Sequence, residues 1–164
     1  MKKLQKWLKD NCNLNYSIDE LTNLTWLSLS YNNLTSIPPE ICELSKLTEL
    51  YLYKNNLTSI PPEICKLSKL TKLRLGDNNL TSISPEICEL SKLTELSLYN
   101  NKLTSLPSEF CKLNKLNMLD LYDNNITIIK DSKLHKFLRP FLDKGEVNIV
   151  NNTRITRYLY GDIK

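Results

Sequence analysis

Four of the five cysteines in this 164-residue chain, Cys42, Cys65, Cys88 and Cys111, recur every 23 residues, and Cys12 stands outside the series. Thiols can bind a metal, attack a substrate or pair as disulfides. A zinc site needs ligands that converge on one tetrahedron, usually from short Cys-x2–4-Cys loops, whereas one cysteine per repeat sets out a line. No metal is expected, and the series reads as a column of small, buried, reduced thiols next to isoleucine, with redox-labile neighbours or an incidental disulfide as the alternative. Nucleophilic catalysis finds no better support. The single histidine, His135, sits between Leu134 and Lys136 with no serine or cysteine placed near it by a recognisable motif, and reads as a surface residue. Gly76, Gly145 and Gly161 are isolated and make no phosphate-cradling loop. The chain therefore reads as non-enzymatic, with no cofactor.

Composition bounds the setting. Apolar residues make up 41% and charged residues 24% of the chain, and leucine dominates, with 32 Leu and 13 Ile against 2 Val and no Ala. That balance is too apolar for a disordered chain, and the length suits one domain. No apolar run approaches the roughly 18 residues of a membrane span, and the charged N-terminal stretch MKKLQKWLKDNC lacks the apolar region of a secretory signal. These features predict a soluble, intracellular, cytoplasmic protein. Seven N-x-S/T sequons, starting at Asn15, Asn23, Asn33, Asn56, Asn79, Asn125 and Asn151, are then by-products of the repeat and carry no glycan. The net charge of +4 resides at the ends: residues 24–128 hold ten basic and eleven acidic groups, and residues 129–164 hold eight and four. A body without a basic stripe makes nucleic acid an improbable partner.

The 23-residue spacing belongs to a larger pattern. Five ungapped segments begin at Leu24, Leu47, Leu70, Leu93 and Leu116, and the second reads LTELYLYKNNLTSIPPEICKLSK. The shared form is L-x-x-L-x-L-x-x-N-x-L followed by T-S-I-P-P-E-I-C-x-L-S-K. Over about residues 18 to 130 the chain resembles the leucine-rich-repeat family, and the 23-residue length with I/L-P-x-E-I is most similar to its intracellular Ras-associated and Scribble-like group. The resemblance implies an α/β leucine-rich-repeat solenoid, curved, with a parallel sheet on its concave face.

The residues support the same architecture independently. Alternation in L-x-L, as at Leu50 and Leu52, reads as a short strand with one face inward, and stacked copies make a parallel sheet. The ninth-place amides Asn32, Asn55, Asn78, Asn101 and Asn124 lie where the chain leaves the strand and can bridge neighbouring turns in a ladder. Ile37-Pro38-Pro39-Glu40-Ile41-Cys42 places Ile in an extended state before a proline turn, predicting short 3₁₀ or irregular convex segments with Ile37, Ile41 and Leu44 inward. Each repeat buries its face only against neighbours, so both ends need caps. Residues 1–23 read as a cap helix, with Leu4, Trp7 and Leu8 on its inner face, followed by a half-repeat containing Ile18 and Leu21. Residues 24–130 hold the five repeats. Residues 131–164 read as a C-terminal cap: a helix from Asp131 to near Asp143 or Gly145, then a degenerate sixth repeat around Val147-Asn148-Ile149-Val150-Asn151-Asn152, sealed by Ile155, Tyr158 and Leu159.

With core and ladder assigned, the third, fifth, seventh and eighth positions of each repeat are left to face outward on the concave sheet. They hold Trp26, Tyr31, Tyr51, Tyr53, Lys72, Arg74, Asp77, Tyr99, Asp120 and Tyr122, including five of the eight tyrosines. Tyr, Trp and Arg dominate protein interfaces because they desolvate large areas while keeping a polar handle. The expected partner is therefore a protein, with the chain a monomer. Gly76 interrupts the tyrosine column, and a gap is expected there, into which a partner side chain could enter between Tyr53 and Tyr99 to meet Arg74. Two other readings stand: tyrosines that merely stack as good strand residues, and nucleic-acid or anionic-surface binding by the basic C-terminal cap through Lys130, Lys133, Lys136, Arg139, Arg154 and Arg157.

Overall fold

A computed structural model describes residues 1–126 and 133–139, apart from the His135 side chain. The expected sixth repeat, the end of the cap helix, and Lys130, Arg154 and Arg157 lie outside the described residues.

Helix α1 (Lys2–Cys12) buries Leu4 and Leu8 and turns its lysines outward. It ends at Asn13, whose left-handed backbone donates an N–H back to the Leu8 carbonyl. The short helix α2 (Ile18–Asn23) starts with a capping box, in which Ser17 Oγ accepts the Glu20 N–H and the Glu20 carboxylate accepts the Ser17 N–H. Trp7, on the same inner face, is half-buried and packs against the core.

Five strands of three residues follow: β1 (Trp26–Ser28), β2 (Glu49–Tyr51), β3 (Lys72–Arg74), β4 (Glu95–Ser97) and β5 (Met118–Asp120). They form one parallel sheet in chain order, and every pairing is offset by 23 residues, so that Leu27, Leu50, Leu73, Leu96 and Leu119 stand in one row. All five are fully buried. On the convex side, four 3₁₀ turns (Pro39–Glu43, Pro62–Lys66, Pro85–Glu89 and Ser108–Lys112) each follow an extended residue. Ile41, Ile64, Ile87 and Phe110 point from them into the core. Helix α3 (Lys133–Leu138) packs on the last of these turns and buries Leu138.

Two ladders bind the repeats. Asn78 Oδ1 accepts the Leu57 N–H at 3.0 Å, and its Nδ2 donates to the carbonyls of Leu52 and Leu75 at 3.0 Å. Asn55, Asn101 and Asn124 repeat this arrangement one repeat either side and beyond. Asn32, in the first repeat, instead donates its amide to the Ser30 carbonyl. The second ladder has no counterpart in the sequence reading. Thr48, Thr71 and Thr94 each send their hydroxyl to the carbonyl of the preceding repeat's second-place threonine, at 2.9–3.0 Å. Its only sequence signal was threonine at the second place in four of five repeats.

The cysteine column is not uniform. Cys42 and Cys88 are buried and Cys65 and Cys111 half-buried, and all are free thiols. Burial is the chief reason that the Cys42 and Cys88 thiols are pushed up to about 12. At pH 8 a group with that pKa is thiolate in only about one molecule in 10,000, and the thiolate is the nucleophile. Iodoacetamide at pH 8 is therefore expected to label Cys65 and Cys111 first and to reach Cys42 and Cys88 only on unfolding, as read by peptide mass spectrometry. Equal rates at the four sites would show that the column is open.

Candidate protein-interaction face

The strands place alternate side chains on the two faces of the sheet, so the residues flanking the leucine row all look out from the concave side. Cross-strand register sets Trp26, Glu49, Lys72, Glu95 and Met118 in one column and Ser28, Tyr51, Arg74, Ser97 and Asp120 in the next. Just beyond the strand ends stand Tyr53, Tyr99 and Tyr122, then Tyr31, Lys54, Asp77, Asn100 and Asp123. The ten residues singled out from sequence thus share one face. Trp26 is 48%, Tyr31 63% and Tyr122 38% exposed, and these are the exposed large hydrophobic side chains among the described residues.

The face is internally braced. Lys72 Nζ lies between Glu49 at 3.4 Å and Glu95 at 3.6 Å, and the two carboxylates, Glu95 first, hold its ammonium above the ordinary lysine range. Tyr51 donates its hydroxyl to Glu49 at 2.6 Å, a bond that lowers the carboxyl pKa and raises that of the phenol. Arg74 reaches Glu95 at 3.4 Å and lies over the Tyr51 ring at 5.3 Å, and its Nε is buried without a hydrogen-bond partner. Aromatic pairs complete the frame. Trp26 meets Tyr51 edge-on at 5.9 Å, and Tyr31 meets Tyr53 at 5.3 Å.

The expected gap over Gly76 is closed. A Cβ on Gly76 would lie 2.0 Å from Cε1 of Tyr99, so the space left by the missing side chain is filled by the Tyr99 ring itself. Tyr99 is held there by donating its hydroxyl to Asp77 Oδ2 at 2.8 Å, and burial together with that bond raises its pKa. A depression of about 100 Å³ does lie between Tyr53 and Tyr99, the two tyrosines named from sequence, and Arg74 and Ser97 complete its lining. The small residue in its lining is Ser97, in the strand column, which the sequence reading did not name because it assigned the gap to Gly76.

A further feature had no signal in the pattern. Every eighth position is left-handed: Tyr31 at φ 62°, Lys54 at 55°, Asp77 at 53°, Asn100 at 48° and Asp123 at 55°. Asp and Asn tolerate that region, whereas for other non-glycine residues it costs roughly 1–2 kcal/mol. Tyr31 and Lys54 carry this strain side by side, with the Lys54 ammonium 4.9 Å above the Tyr31 ring.

The leucine-rich-repeat pattern matches residues 22–71 and 68–126. No curated protein matches the chain. Among solved structures, a leucine-rich-repeat protein of Leptospira interrogans is 37% identical with a TM-score of 0.69, over 77% of this chain and 33% of that one. The functional domain of InlJ from Listeria monocytogenes, described as including a cysteine ladder, is 30% identical with a TM-score of 0.60, over 70% of this chain and 24% of that one. The BIR2 ectodomain from Arabidopsis thaliana is 30% identical with a TM-score of 0.57, over 62% of this chain and 56% of that one. The chain thus spans about a third of the length of the Leptospira protein, and one of the structures it resembles, that of BIR2, is an ectodomain. No helix among the described residues is long and apolar enough to cross a membrane. The repeats, the parallel sheet with its 3₁₀ turns and these matches together place the chain in the leucine-rich-repeat family.

Proposed function

We propose that the chain is a non-catalytic interaction module that binds a partner protein through the concave face, with Trp26, Tyr53, Arg74, Tyr99 and Tyr122 as its anchors. The observation that carries this reading is the set of exposed aromatic side chains on a braced parallel sheet, since large rigid side chains held in place lose little entropy on binding. The depression beside Arg74 gives one partner side chain a defined seat. Arg74→Glu combined with Tyr99→Ala is expected to weaken capture of partners from a native lysate by more than tenfold, measured by quantitative mass spectrometry, while the melting temperature confirms folding. Capture that is unchanged by the pair refutes the reading.

A second reading rests on the C-terminal cap, where Lys133 and Lys136 on α3 and Arg139 just past its end are exposed. Anion binding there would collapse steeply between low and physiological salt, and random oligonucleotides test it. The concave face is favoured because its aromatic residues are the more specific feature. The 23-residue repeat with its proline-glutamate turn supports kinship with the Ras-associated and Scribble-like group and an intracellular scaffold or adaptor role. The intact mass of the protein from its own cells tests that location, since an unglycosylated mass fits the cytoplasm and glycan on the exposed Asn33 or Asn56 refutes it.

A further inference from the structure

The solenoid has a second surface at the rim where the chain enters each strand, and we infer that this rim binds the phosphodiester backbone of a nucleic acid without regard to base sequence. The site is separate from the concave face, and either can fail without the other. Counted along the chain, residues 24–128 carry ten basic and eleven acidic groups, but stacking sorts them by column. The last place of the first four repeats, just before the leucine that leads into the next strand, holds Lys46, Lys69, Lys92 and Lys115, all exposed. One turn earlier the same place is Asn23, and Lys46 Nζ donates to its Oδ1 at 2.6 Å, so neighbours in this column lie within reach of one another. Two residues on, the backbone N–H groups of Thr48, Thr71, Thr94 and Asn117 each donate to the second-place carbonyl of the repeat before, at 2.7–2.9 Å. Those bonds hold the rim at one strand spacing, which sets the four lysines in single file about 4.8 Å apart, in a row on the order of 14 Å long.

The fold does not neutralise this row. None of the four ammonium groups has a carboxylate within ion-pair distance among the described residues, whereas Lys72 and Arg74 on the concave face are both held by glutamates. The acids nearest in sequence are committed or outnumbered. Glu43 is taken by the Met1 ammonium at 2.8 Å, and Glu49 and Glu95 by Lys72 and Arg74. Over residues 43–48, 66–71, 89–94 and 112–117, six lysines stand against two glutamates. The opposite rim is balanced, with Lys54, Asp77, Lys102 and Asp123 alternating in sign from repeat to repeat. Like charges in single file repel, and a polyanion relieves that repulsion while releasing its own counterions. Ser45, Ser68, Ser91 and Asn114, each exposed beside its lysine, add hydrogen-bond donors of the kind that contact phosphate oxygens. The flexible lysine stem lets each ammonium follow a backbone whose charge spacing differs from the strand spacing. Among the described residues the exposed large hydrophobic side chains, Trp26, Tyr31 and Tyr122, all belong to the concave columns, so the rim has no ring to stack on a base and no apolar group to insert into a bilayer. What it offers is a line of donors and positive charge, matched by phosphates in a line.

The probe is a fluorescein-labelled single strand of 20 random nucleotides, titrated with the full chain by fluorescence anisotropy at several salt concentrations. Each phosphate contact on a single strand contributes about −0.7 to the slope of log K against log salt, so the share of the four lysines is about −2.8. Lys69→Gln/Lys92→Gln/Lys115→Gln is expected to make the slope shallower by about two and to weaken binding at low salt by more than tenfold. The same variant should melt at an unchanged or higher temperature, because repulsion along the row is relieved. Lys69→Arg/Lys92→Arg/Lys115→Arg should keep the slope, since charge in a line is what is read. Trp26→Ala/Tyr122→Ala should bind the strand as the unaltered chain does, whatever it does to protein partners. An unchanged slope in the glutamine triple overturns the inference. So does a loss confined to Lys133→Gln/Lys136→Gln/Arg139→Gln, which would assign the binding to the C-terminal cap, or a loss in Trp26→Ala/Tyr122→Ala, which would assign it to the concave face. No measurable binding at low salt, or capture by phosphatidylserine vesicles in preference to the oligonucleotide, overturns it as well.

Discussion

Asn78→Ala is expected to destabilise the folded chain by about 3 kcal/mol, from one orphaned backbone donor and the loss of bonds shared with the neighbouring repeats. The carbonyls of Leu52 and Leu75 keep partners, because Asn55 Nδ2 also donates to Leu52 and Asn101 Nδ2 to Leu75. The Leu57 N–H, buried and bonded to Asn78 Oδ1, has no such substitute. Urea denaturation followed by circular dichroism measures the loss, and a cost below about 1 kcal/mol would mean that water enters and replaces the amide. Asn78→Asp separates donor from acceptor. Its ionised form would face the carbonyls of Leu52, Leu75 and Gly76 with no proton to offer, so the folded state should hold this carboxyl protonated, above its unfolded value. The stability of that variant is then greatest below the unfolded pKa of about 4 and falls as pH rises through the folded one.

Leu73→Ala is expected to cost about 3–4 kcal/mol, in the middle of the roughly 2–5 kcal/mol range for emptying a close-packed leucine site. Leu73 is fully buried in β3 between Leu50 and Leu96, so the cavity lies at the middle of the leucine row. In a linear array each repeat is stabilised by its two neighbours, and a weak central repeat uncouples the halves. Leu73→Ala should therefore lower the denaturant slope as well as the midpoint, whereas the same change at Leu27, in the terminal strand β1, should lower the midpoint with less effect on the slope. Equal slopes for the two variants would show that the array unfolds as one unit regardless of where it is weakened.

The repeat made most of the architecture legible in the sequence. Leucine, isoleucine and asparagine at fixed places can satisfy burial and backbone bonding in only one way when five copies stack in register, so the leucine row, the amide ladder and the shared outward face follow from spacing alone. Ser97 and Gly76 show where that reasoning fails. Both are small, and only the direction taken by the Tyr99 ring decides which of them leaves space. That direction depends on Asp77, one repeat back, which accepts the Tyr99 hydroxyl. The alternating burial of the cysteines likewise appears only once the convex turns are packed against one another.

The sequence by itself determined the solenoid, the inward and outward sets of side chains and the columns that a partner could touch, because a strict period converts position in the chain into position on a surface. Tertiary structure alone decided which of the outward residues are committed to each other: Lys72 between two glutamates, Arg74 against Tyr51, Tyr99 over Gly76, and Tyr31 and Lys54 in left-handed turns. These pairings join residues 23 or so apart through rotamers and backbone angles. A linear pattern records which residues become neighbours, but the balance of contact, strain and charge that settles their conformations exists only after the turns have closed.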